Sequence, residues 1–107
     1  MRVLLDGNLP RAFGALLPGH RVETVHQRRW SDLDDGPLLR AAEEAGFAAF
    51  LTMDQSLRFQ QNLRGHQLRI VVLRAHTNTL ADLVPLAGPV RVVLPTLAPG
   101  EVRLVGA

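Results

Sequence analysis

Phe47-Ala48-Ala49-Phe50-Leu51-Thr52-Met53-Asp54 is the stretch that decides the fold. An uncharged, mostly apolar run ends abruptly on an acid. A strand with one wet face alternates apolar and polar residues, whereas a strand covered on both faces does not. The run from Phe47 to Met53 therefore predicts a fully buried strand. Upstream, Leu38 to Ala45 has helical periodicity, with Gly46 placed as its C′ residue. Before that lies a polar loop, Gln27 to Gly36, carrying the single Trp30. Arg21 to Val25 alternates as a weaker strand. Leu9 to Leu17 has apolar residues at 9, 12, 13, 16 and 17, which predicts a helix capped by Asn8 and stopped by Pro18-Gly19. Val3-Leu4-Leu5 predicts an opening buried strand, ended by the turn signal Asp6-Gly7-Asn8.

Downstream, Gln55 to Leu63 predicts a polar helix or turn ended by Gly65, and Arg69 to Leu73 another buried strand. Thr79 to Leu86 is helical, with Asn78 or Thr79 as cap. Val90 to Leu94 is ambiguous, its β-branching favouring a strand. Glu101 to Val105 predicts a last edge strand. Strands that alternate with helices imply βαβ units, hence an α/β sandwich around a mainly parallel sheet. Neither linker nor repeat interrupts residues 1–107, so one domain is expected.

Charge narrows the function. Twelve Arg, no Lys and ten acids leave a net charge of +2, although the isoelectric point is about 11.0. With no Lys, Tyr or Cys, almost nothing titrates between His and Arg, so a small excess pushes the value high. It does not mark a nonspecific basic binder. The absence of Cys excludes disulfides, thiolate metal sites and Cys nucleophiles. Aromatics at 5% argue against a base-stacking platform. No apolar run reaches the roughly 18–20 residues that span a membrane. MRVLLDGNLP at the start lacks a signal-peptide pattern, so no membrane association and a cytoplasmic location are expected. His20, His26, His66 and His76 show no metal-ligand spacing, and Ser31 and Ser56 no nucleophile motif.

The acids carry the chemistry. Asp6 and Asp54 each follow an apolar strand directly, which puts them at carboxyl ends, where open parallel sheets bind ligands. If the first and third strands are neighbours, the two carboxylates converge. Asp32, Asp34 and Asp35 add an acidic loop before the second helix. Close carboxylates repel unless a cation such as Mg²⁺ or Mn²⁺ lies between them. The bland alternative is that Asp after a strand only makes a turn.

VLLDGNLP (3–10), WSDLDDGPLLRAAEEAG (30–46), and LTMD (51–54) followed by QQN (60–62) resemble the PIN-like domain family, in particular its short VapC-like branch of predicted toxins from toxin–antitoxin operons. The resemblance runs from Arg2 to about Leu86 and extends to the closing PGEVRLVG. It implies a Rossmann-like α/β/α sandwich and a Mg²⁺- or Mn²⁺-dependent ribonuclease. It also implies Asp6, Asp35 and Asp54 as catalytic, metal-holding acids, with Asn8, Thr52, Gln61 and Asn62 in support. An RNA substrate and a cognate antitoxin protein would be the partners, and residues 90–98 would be helical. Two positions depart from the family. Gly7 and Pro37 stand where the branch usually carries Glu.

Arg11, Arg28, Arg29, Arg58 and Arg64 lie near the acidic loops in sequence and are candidates to hold an RNA backbone, Arg58 foremost. The apolar, Pro-containing stretch Leu86 to Ala98 is more than a small domain need bury, which leaves room for a homodimer contact. Two rivals come from other classes. A response-regulator receiver shares the acid positions, but by resemblance needs a last-strand Lys that this chain lacks. A PIN-fold binding module with a weak or dead site would act through a protein partner instead.

Overall fold

The computed structural model describes residues 1–59 and 66–106. Among them, five strands form one sheet: β1 (Arg2–Leu5), β2 (Arg21–Thr24), β3 (Ala49–Thr52), β4 (Arg69–Arg74) and β5 (Val102–Gly106). Their order is β2-β1-β3-β4-β5, and every neighbouring pair is parallel. The expected α/β fold is observed, and β1 and β3 are neighbours. Two α-helices connect strands, α1 (Asp35–Glu44) and α2 (Leu80–Val93). Shorter 3₁₀ turns cover Arg11–Leu16, Gln55–Phe59 and Leu94–Thr96.

Side-chain alternation splits the core between the two faces of the sheet. Val3, Leu5, Ala49, Leu51, Val71 and Leu73 face Phe13 and the α2 residues Leu83, Ala87 and Val90. Leu4, Phe50, Ile70 and Val72 face the α1 residues Leu38, Leu39 and Ala42. Helical segments therefore lie on both faces, which is why β3 is buried at every position. β2 and β5 are the edges.

α1 ends as its sequence predicts. Gly46 takes φ +89°, Phe47 N–H donates to Ala42 O and Gly46 N–H to Glu43 O, both at 3.0 Å. These are the two bonds of a Schellman cap, which needs a left-handed residue at C′. Trp30 anchors the preceding loop, its ring edge-on to Phe47 at 6.1 Å, with the Arg28 guanidinium 4.8 Å above the Trp30 ring.

Two expectations are corrected. Arg11–Leu16 is a 3₁₀ turn, and Pro10, not Asn8, stands at its cap position without a side-chain bond. The apolar period survives in the burial of Leu9, Phe13 and Leu17. The turn lies so close to β2 that a Cβ on Gly14 would come within 2.8 Å of Val22 Cγ1. Asn8 is unavailable as a cap because its side chain crosses to β3, as described below. The strand reading of Val90–Leu94 also fails: α2 runs to Val93 and a 3₁₀ turn to Thr96, so the helix implied for 90–98 is found in its first part. Pro85 and Pro89 sit inside α2 on its exposed side. Each removes a bond to the residue four earlier, Ala81 and Pro85, whose carbonyls lie on the same wet side where water can satisfy them.

Opposite the carboxyl ends, Glu43 of α1 fastens the start of β4. His66 Nδ1 lies 2.9 Å from Glu43 Oε2, and Gln67 N–H donates to Oε1 at 2.7 Å. The His66 contact first, then the Gln67 amide, holds the Glu43 carboxyl below its ordinary value. A depressed carboxyl stabilises the fold at pH above its unfolded pKa, and that contribution is lost as pH falls through the folded one. Glu43→Gln is therefore expected to cost about 1 kcal/mol near neutrality and nothing in strong acid. Urea midpoints from pH 7 down to 3 should converge for wild type and variant; parallel curves would exclude the bridge as their source.

Candidate functional site

The sheet order reverses direction between β1 and β3, since the chain leaves β1 toward β2 and returns to β3 on the other side. A crevice opens at the carboxyl ends of such a pair. Asp6 and Asp54 both lie there. Asp6 N–H donates to Leu51 O at 2.9 Å, so the β1–β3 ladder runs up to the acid. Its Oδ1 accepts from Gly7 N–H at 2.8 Å. Its Oδ2 accepts from the Thr52 hydroxyl at 2.6 Å and from Asn8 Nδ2 at 3.4 Å. Thr52 is fully buried, and its Oγ1 also accepts from Asp54 N–H at 3.0 Å. One hydroxyl thus links the two strand-end acids.

Asn8 completes the bridge. Its Nδ2 also reaches Thr52 Oγ1 at 3.4 Å, and its Oδ1 accepts from Met53 N–H at 3.2 Å. Asp54 Oδ1 is held by Ser56, through N–H at 3.0 Å and hydroxyl at 2.7 Å. The Asp54 Oδ2 atom makes no bond to the described residues. Two further amides brace the rim. Gln55 Nε2 donates to Leu73 O at 3.1 Å, and Asn78 Nδ2 to Asn8 O at 3.1 Å. Ser56, Gln55 and Asn78 were not legible as site residues. Only the Asp-x-Ser spacing of 54–56, which favours a side-chain-to-backbone turn, could have pointed to Ser56.

The structure therefore brings Asp6, Asn8, Thr52 and Asp54 together. Asp35 is the first residue of α1 and is not drawn into this group. Among the described residues, no three His, Cys, Asp or Glu side chains are placed to hold a metal ion. Gln61, Asn62 and the side chain of Arg58 lie outside the described residues. The donors present are carboxylate and amide oxygens on a half-buried ledge, the type that Mg²⁺ and Mn²⁺ accept while keeping several waters. They fit one such ion.

Comparison with family models, curated proteins and solved structures finds no match.

Gly7 offers a direct test of that site. A Cβ built on it meets nothing within 4 Å, and its backbone is not left-handed, so a side chain there is unstrained. Gly7→Glu adds a third carboxylate beside Asp6. It is expected to fold normally and to bind Mn²⁺ about tenfold more tightly by calorimetry, because affinity for hard cations rises with the number of charged ligands. Unchanged affinity would place any ion elsewhere.

Proposed function

We propose that the chain is a Mg²⁺- or Mn²⁺-dependent ribonuclease of the toxin type, with RNA as substrate and an antitoxin protein as its partner. The supporting observation is the Thr52 hydroxyl, shared between Asp6 Oδ2 and Asp54 N–H at the switch point of the sheet. Such bonding holds an acid pair in one orientation, as a ligand site requires. Asp6 and Asp54 would hold the ion. When bound, it would lower the pKa of a coordinated water and offset charge on the scissile phosphate.

The protein's own part is orientation. Thr52 and Asn8 fix the direction of the Asp6 lone pairs, while Ser56 binds Asp54 through Oδ1 and not through Oδ2. Arg11 is exposed and forms no ion pair among the described residues, so its guanidinium is available to an RNA phosphate. The test is cleavage of single-stranded RNA with Mn²⁺, with chelator, and by Asp54→Asn. Cleavage that survives chelation, or that the variant matches, would overturn the proposal.

The lack of a three-carboxylate group among the described residues favours one second reading, a binding module that acts through a protein partner. Among the described residues, no helix is long and apolar enough to cross a membrane. The outward side of α2, however, leaves Val84 47% and Val92 72% exposed. A chain that binds no Mn²⁺ by calorimetry and cuts no RNA would belong to this second class.

A further inference from the structure

A groove of about 660 Å³ lies between the Arg11–Leu16 turn and the edge strand β2. Its lining includes the apolar Gly14 and Val22, taken as its floor, and the polar Arg11, His20, Thr24 and Gln27. The groove adjoins the acidic site through the sheet. Thr24 is in register with Leu5, the residue before Asp6, and neighbouring strands lie about 4.8 Å apart.

Hydrogen bonding sets the chemistry of this groove. Gln27 Oε1 is taken by Thr24 N–H at 2.9 Å, and Thr24 Oγ1 accepts from Gln27 N–H at 3.0 Å. Beside the His20 ring, the lining side chains then offer the Gln27 amide NH₂, the Thr24 hydroxyl proton and the Arg11 guanidinium, all of them donors. A small-residue floor with donors along one side suits a flat ring whose edge carries acceptors and no donor between them. Among the RNA bases, guanine presents that edge with O6 and N7 and cytosine with O2 and N3, whereas adenine places an amino group beside N7; of the two, the fused rings of guanine cover more of the apolar floor.

We propose that this groove is a guanine subsite, one strand removed from Asp6, which selects the nucleotide flanking the bond to be cut. The last clause rests on the ribonuclease reading; the binding chemistry does not. Gln27→Glu separates the two. Glu keeps an oxygen for Thr24 N–H, so the turn survives, but replaces the NH₂ by an acceptor.

The experiment titrates guanosine, adenosine, cytidine and uridine 5′-monophosphates into the metal-free chain, following amide shifts by NMR. Wild type and Asp54→Asn are expected to bind the guanine nucleotide about tenfold or more tightly than the adenine one. Gln27→Glu, folded by circular dichroism, is expected to lose that preference. Equal binding of all four by wild type, no binding of any, or an unchanged preference in Gln27→Glu would overturn the subsite. Guanine selectivity in a chain that cuts no RNA would sustain the subsite and remove the nuclease. Cleavage without guanine selectivity would do the reverse.

Discussion

Asp54→Asn is expected to lower Mn²⁺-dependent RNA cleavage at least about 100-fold, the usual scale for losing one charged group that acts on the transition state. The substitution is informative because it is structurally mild. Asn keeps an Oδ1 that accepts from Ser56 N–H and hydroxyl, the two bonds that shape this turn. Asp54 N–H still reaches the Thr52 hydroxyl. What disappears is the negative charge and the second carboxylate oxygen, Oδ2. Stability should therefore move by no more than about 0.5 kcal/mol, while Mn²⁺ affinity and cleavage fall together. Thermal melts, calorimetry and a cleavage time course on one preparation suffice. A variant that melts alike and cleaves alike would remove Asp54 from the chemistry. A variant that unfolds would show instead that its charge serves the loop.

The two strand-end acids were readable because strand-end position follows from one-dimensional pattern. An apolar run stops, and the next residue leaves the sheet at its carboxyl end. Asn8 was harder. Its place after Asp6-Gly7 predicts a helix cap with equal force, and nothing local reveals a bond across to Met53 N–H, 45 residues away. Thr52 entered only by resemblance, since a Thr in a buried strand is otherwise a β-branched core residue. Asp35 shows the converse limit. A carboxylate that opens a helix is favourable there through the helix dipole alone, so its sequence position cannot separate a ligand from a first-turn acid.

The burial of β3 was legible for a related reason. β3 is apolar at nearly every position, so it must be covered on both faces, and central placement follows. α2 misled because period and composition conflict there. Leu83, Ala87 and Val90 have helical spacing, but Pro85, Pro89 and a run of β-branched residues argue against a helix. Burial of the inner stripe prevails, and the prolines are tolerated because they fall on the wet side. That outcome leaves Val84, Pro85, Pro89 and Val92 outward, an apolar surface that the fold itself does not use.

Phe50→Ala is expected to lose about 3–5 kcal/mol, the range for removing a buried aromatic ring. Phe50 is 1% exposed, in the second position of β3, and belongs with Leu4, Leu39, Ile70 and Val72 to the core on the α1 face. Domains of this size have a total stability of about 5–15 kcal/mol, so the variant is left near its threshold, with a midpoint lower by roughly 15–30 °C. A loss below about 1 kcal/mol would mean that β3 is not the central, doubly covered strand. Val92→Ala is the matching control, since a residue 72% exposed should change stability by less than about 0.5 kcal/mol in a monomer. If Val92→Ala lowers the midpoint and that midpoint rises with protein concentration, mass action from a second copy is at work, and the outward face of α2 is where the copies meet.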